Sequence, residues 1–115
     1  MDTEHLQMIC KKLPQVTEDI KWQHDLCFCI GGKMFCVAGL NQAPTSVSFK
    51  VPEEQFAELS EKEGFRPAPY TAKYNWVMVD DLKRMTLKEW EFYTSQSYGL
   101  VKEKLAPKTK TQLGI

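Results

Sequence analysis

The stretch Leu26-Cys27-Phe28-Cys29-Ile30-Gly31-Gly32-Lys33-Met34-Phe35-Cys36-Val37 decides the fold. Two apolar runs flank a Gly-Gly pair, and a two-residue hairpin turn needs positive φ at both central positions, which glycine adopts without steric cost. The spacing predicts a β-hairpin. Counting outward from the turn sets Ile30 opposite Lys33, Cys29 opposite Met34, Phe28 opposite Phe35 and Cys27 opposite Cys36. Successive side chains of a strand point to opposite faces, so Leu26, Phe28, Ile30, Phe35 and Val37 are expected on one face and Cys27, Cys29, Met34 and Cys36 on the other. The first set reads as core.

Upstream, Thr17 to Trp22 reads as a further strand whose start is blurred by Glu18 and Asp19. Before it, Leu6, Ile9, Cys10 and Leu13 recur at helical spacing behind a cap at Asp2 or Thr3, until Pro14 ends the pattern. Downstream, Val47, Phe49 and Val51 alternate with Ser46, Ser48 and Lys50, which predicts a strand with one buried and one wet face and directs Lys50 to solvent. Pro52 suits the first position of a short helix, Glu53 and Glu54 suit its first turn, and Phe56 and Leu59 form its inward stripe through about Glu61. Trp76 to Val79 reads as the last strand. Thr86 and Glu89 then match a capping box, and Leu87, Trp90, Thr94, Tyr98, Val101 and Leu105 trace a long helical face that Pro107 ends. Residues 1–115 are thus expected to form a single domain with a flexible tail from about 107. Three helices and about five or six antiparallel strands predict a two-layer α+β domain, with helices on one sheet face only. The other face is where function is sought.

The composition narrows the function classes. Of 115 residues, 43% are hydrophobic and 26% charged, with fifteen basic and fifteen acidic side chains, which excludes a wholly disordered chain, a collagen-like repeat and a polycationic wrapper of nucleic acid. The acidic start at Asp2 and Glu4 lacks the pattern of a secretory signal, and no apolar run approaches the roughly 20 residues that span a bilayer. A cytoplasmic protein without membrane contact is expected. The cysteines at 10, 27, 29 and 36 are then expected as reduced thiols. Cys27, Cys29 and Cys36 on one hairpin face fall short of the four ligands of structural zinc, so neither a metal nor an obligatory cofactor is expected. His24-Asp25 and Ser97-Tyr98 do not make a triad or a nucleophile elbow, and Gly31-Gly32 lacks the rest of a phosphate-binding loop. An enzyme is not indicated.

Several segments together resemble the MmcQ/YjbR family. Gly32-Lys33-Met34-Phe35 is similar to its Gly-Lys-x-Phe hairpin, and Val47-Ser48-Phe49-Lys50 to its strand ending in lysine. Pro67-Ala68-Pro69-Tyr70 followed by Lys73 and Trp76-Val77 resembles its middle signature, and Ser97-Tyr98 with Leu100-Val101 that of its last helix. The resemblance implies a YjbR-like α+β domain related to CyaY-like and secretion-chaperone-like folds. Members of the family are often labelled DNA-binding on their double-wing shape, and the resemblance transfers no active-site residue.

Lys33, Lys50, Arg66, Lys73, Lys83 and Arg84 are the candidates for a surface that meets nucleic acid or another anion, with Trp76 as the aromatic partner if exposed. Tyr70 and Tyr74 are further candidate anchors, whereas Trp90 and Tyr98 have the spacing of core residues. The expected function is a small non-enzymatic binding protein with DNA as candidate ligand. The alternative is a protein-interaction adaptor or chaperone-like module using the open sheet face or the last helix, in either case a monomer or homodimer.

Overall fold

Asp2 caps the first helix in the computed structural model, which describes residues 2–115. Its carboxylate accepts from the His5 backbone N–H at 3.0 Å, satisfying a donor that the first turn leaves free. Helix α1 (Thr3–Lys11) buries Leu6, Ile9 and Cys10. The strands follow as β1 (Thr17–Lys21), β2 (Asp25–Ile30), β3 (Lys33–Gly39) and β4 (Ser46–Lys50), then helix α2 (Glu53–Ser60). Next come β5 (Phe65–Pro67), β6 (Trp76–Val79), the long helix α3 (Leu87–Glu103) and α4 (Pro107–Leu113). Short 3-10 turns at Ala72–Tyr74 and Leu82–Arg84 flank β6. Thr86 and Glu89 form the expected capping box of α3. No helix among the described residues is long and apolar enough to cross a membrane.

All six strands pair antiparallel in the order β1-β2-β3-β4-β6-β5, and the α+β architecture expected from the sequence is present. Phe28, Ile30, Phe35, Val47, Phe49, Val77 and Val79 point to the helix-covered face and pack with Leu6, Trp90 and Tyr98. Trp90 donates its indole N–H to the Leu82 carbonyl at 2.8 Å and meets Phe49 edge-on, so the largest core side chain is also polar-satisfied. Tyr98 donates its hydroxyl to Pro14 at 2.6 Å, fastening the end of the α1 connection to α3.

Four sequence expectations are corrected. The hairpin turn is correct, with φ of 59° at Gly31 and 80° at Gly32, but the register slips between Phe28 and Cys29. Cys29 pairs with Met34 and Phe28 with Cys36, leaving Phe35 as the extra residue of a β-bulge. Strict alternation fails there, so Cys36 and Ala38 enter the core and Val37 turns to the open face. Lys50 is not directed to solvent: it is 9% exposed, because the Ala72–Tyr74 turn folds over it and its amine donates to the Tyr74 carbonyl at 3.0 Å. The segment from about 107, expected as a flexible tail, forms α4 with Pro107 in its first turn, where no N–H is needed, which makes four helices instead of three among the described residues. Leu87 lies on the solvent side of α3.

Ser97 joins three elements. Beyond the Cys36–Phe49 pair the β3–β4 ladder opens, and the Ser97 hydroxyl enters the gap, accepting from the Lys50 backbone N–H at 2.9 Å and donating to the Phe35 carbonyl. Ser97→Ala leaves both backbone groups buried and unpaired, so a loss of about 1–3 kcal/mol is expected in urea unfolding. Lys50→Met acts in the opposite direction. Burial, reinforced by the nearby Lys104 amine, holds the Lys50 amine below the ordinary lysine value of 10.5. Between that lowered value and 10.5 the unfolded chain binds more protons than the folded one, so the penalty is absent above 10.5 and grows as pH falls. The Lys50→Met variant is expected to be more stable than wild type in urea unfolding at pH 7, the difference shrinking as pH rises toward 10.5.

Candidate functional site

The sheet face away from the helices carries Cys27 and Cys29 from β2, Met34 and Val37 from β3, Ser46, Ser48 and Lys50 from β4, and Trp76 and Met78 from β6. Among the described residues, no helix packs over its centre as α1 and α3 do on the other side. The two ends of this face rise, however. At one end stand the β1–β2 turn with Trp22 and His24 and the loop bearing Asn41 and Gln42; at the other stands the loop Pro69-Tyr70-Thr71. Between them lies a trough of about 720 Å³.

The floor of the trough is neutral and adaptable. Met34, Val37, Trp76 and Met78 supply it, and methionine side chains adjust to irregular apolar partners. Its walls are aromatic. Trp22 is 64% exposed and Tyr70 97% exposed, and both sit on left-handed backbone, with φ of 51° and 66°. Large L-residues adopt that conformation at a cost, and such strain concentrates where function keeps it. The polar end is formed by Ser46, Ser48, Gln42 and the pair His24–Asp25, whose ring Nδ1 and carboxylate oxygen lie 2.9 Å apart.

This constellation lacks the parts of a hydrolytic centre. His24 is oriented by Asp25, but neither Ser46 nor Ser48 hydrogen-bonds the ring, so no nucleophile–base pair is set. The thiols are quiet. Burial with the neighbouring Cys29 pushes the Cys27 thiol up to about 11, and Cys36, in a hydrogen bond with Cys10 and wholly buried, is also raised. Reactive cysteines need the opposite shift. All four cysteines are free, and among the described residues no three His, Cys, Asp or Glu side chains gather closely enough to hold a metal ion.

The sequence-predicted cations do not converge. Lys33 is exposed at the hairpin tip, and Lys50 and Lys73 lie at that same end of the sheet. Lys73 reaches over the Tyr74 ring at 5.2 Å. Arg66 stands on the open face at β5, with Nη2 donating to the Met78 sulfur at 3.4 Å. Lys83 and Arg84 are at the opposite end, where Arg84 is held bidentately by Asp80 at 2.9 and 3.2 Å and Lys83 borders a smaller concavity beside His5 and Leu87. Trp76 is 7% exposed, yet its remaining surface lines the trough next to Met78. Trp22, Val37 and Met78 were not singled out from the sequence. The parity that Met78 shares with Trp76 would have found one of them, and only the bulge brings Val37 outward.

No curated protein matches the chain. Among solved structures, the crystal structure of Deinococcus radiodurans protein DR2400, with a DUF419 domain, superposes with a TM-score of 0.87 at 24% identity, covering 99% of this chain and 88% of that one. A protein from Pseudomonas syringae superposes with a TM-score of 0.71 at 21% identity, covering 87% of this chain and 98% of that one. At such identities both likenesses concern the fold. The YjbR family model matches residues 11–100, a span running from the end of α1 through most of α3 and holding the whole sheet, so the chain belongs to the YjbR family.

Proposed function

We propose that the protein is a non-enzymatic binding module, an adaptor whose open sheet face receives an extended protein segment. The observation that carries this reading is the trough: a neutral, methionine-containing floor closed at both ends by exposed aromatic rings. A volume of about 720 Å³ suits several apolar side chains of a bound segment, and exposed Trp and Tyr are the residue types that most often carry binding energy. Charge points the same way. Asp19 and Asp25 share this face with Lys21 and Arg66, so a polyanion laid along it meets carboxylates as well as cations, whereas a segment of mixed charge meets both signs favourably.

A second reading, single-stranded DNA or RNA on the same face, is favoured by one observation: Trp22 and Tyr70 offer ring faces on which bases stack, with Arg66 and Lys73 nearby for phosphates. The two readings differ in salt dependence. Peptides selected by display on the purified protein, then titrated individually, are expected to bind with little salt dependence and to lose about 30-fold in affinity with either Trp22→Ala or Tyr70→Ala, the loss typical of a strong anchor. Both rings are exposed, so unchanged circular dichroism is expected alongside. Oligonucleotide binding that falls steeply with salt and is lost in Arg66→Ala and Lys73→Ala, with no selectable peptide, would replace the adaptor reading by the nucleic-acid one.

A further inference from the structure

Asp25, Gly39 and Ser46 stand side by side across the open face, paired in register from β2, β3 and β4. Gly39 is the gap in that row. Its backbone lies outside the left-handed region, so the chain conformation does not call for glycine, and a glycine of this kind in a strand marks a place where another group comes close. A Cβ at position 39 would lie 3.1 Å from the Ser46 Oγ and 3.7 Å from the Gln42 Oε1. Both oxygens therefore face the notch that the missing side chain leaves. Ser46 is 8% exposed, and the His24 Nδ1 lies 2.9 Å from only one Asp25 oxygen, Oδ1. Neither the Ser46 hydroxyl nor the other Asp25 oxygen, Oδ2, has a hydrogen-bond partner among the described residues. Lys21, opposite Asp25 on β1, forms no ion pair with it.

The notch thus gathers acceptors in want of donors. Among the described residues Asp25 is the one carboxylate that lines the trough, and neither a lysine nor an arginine lines it, so the charge complementary to this end is positive. We propose that the notch at Gly39 receives an arginine side chain of the bound segment, an inference that rests on the adaptor reading and names a residue its partner must carry. The guanidinium is preferred over an ammonium for its shape. Its planar fork of N–H donors can reach the Asp25 Oδ2, the Ser46 Oγ and the Gln42 Oε1 together, and it is the more weakly hydrated of the two cations. The exposed Trp22 ring, on the turn that leads into Asp25, offers a face on which the same group stacks. Asp25 is half-buried, so the pair is screened by salt far less than one on open surface, in keeping with the weak salt dependence expected for the segment as a whole.

Peptides selected by display on the full chain are the probe, and they are expected to share an arginine. A selected peptide is then made in two forms, with arginine and with citrulline, which keeps the length and planar end of the side chain but not its charge. The arginine form is expected to bind about 30-fold more tightly. Asp25→Asn, which keeps the size of the side chain, and Gly39→Ala, which fills the notch, should each cut that ratio to about 3 or less by weakening the arginine form. Tyr70→Ala, at the other end of the trough, should weaken both forms and keep the ratio. Circular dichroism checks that each variant is folded, and Asp25→Asn carries the test if the added methyl disturbs β3. Selected peptides without arginine, equal binding of the two forms, or a ratio that survives in Asp25→Asn overturns this inference and leaves the adaptor reading standing. Failure to select any peptide overturns both.

Discussion

The hydroxyl of Ser97 holds the structure at its most irregular point. Phe35 is the surplus residue of the β2–β3 bulge, and its carbonyl lies where the β3–β4 ladder would otherwise continue to Lys50. A backbone N–H and a carbonyl left facing a gap in the core would each cost free energy. Ser97 bridges them from α3, accepting from one and donating to the other, and this single side chain thereby fixes the helix against two strands. Phe35 can then turn its ring onto Tyr98, edge to face at 5.5 Å, one residue further along the same helix. The bulge and the helix position are mutually dependent.

The consequence reaches the opposite face. An unbulged hairpin would send Cys36 outward and Val37 inward, and the open face would carry three thiols in a row. With the bulge, Cys36 joins Cys10 in the core and Val37 joins Met34, Trp76 and Met78 on the trough floor. A chemically nondescript surface becomes a shaped apolar one through the insertion of one residue on the other side of the sheet. Bulges re-aim side chains in this way without altering the strands on either side, which explains how both hairpin ends keep their expected partners near the turn, Ile30 with Lys33 and Cys29 with Met34.

Regular elements were legible in the sequence because each rests on local chemistry: Gly31-Gly32 supplies its own turn, Thr86 and Glu89 their own cap, and Val47-Ser48-Phe49 its own alternation. The trough was not, because it is made by loops from distant parts of the chain, and neither Trp22 nor Tyr70 differs in sequence context from an ordinary turn residue. Lys50 shows the same limit at a single position. Its parity along β4 was read correctly as the face away from the helices, but parity says nothing about a later turn, Ala72–Tyr74, closing over that face. Likewise, Leu105 and Pro107 marked the end of one helix correctly but could not show that a further helical turn follows against the hairpin tip.

Two parts of the open face are built on different physical terms. At the trough, binding would draw on desolvation of apolar surface, and the left-handed backbone at Trp22 and Tyr70, each position costing of order 1–3 kcal/mol, is tolerable only because the loops that carry them are tied elsewhere. Leu40 donates its N–H to the His24 carbonyl at 2.8 Å, and Ala72 to the Ala68 carbonyl at 3.0 Å. Both rings are therefore held out in water by backbone bonds that the rings do not share. At the hairpin tip the cost is one of desolvation: the Lys50 amine is kept under the turn that carries Tyr74, whose carbonyl accepts from it at 3.0 Å, where an apolar side chain would carry no charge to desolvate. Glycine or asparagine would relax the first pair of sites and an apolar residue the second. Stability alone favours neither arrangement, and the two departures from it fall on the same face of the sheet, the one away from the helices.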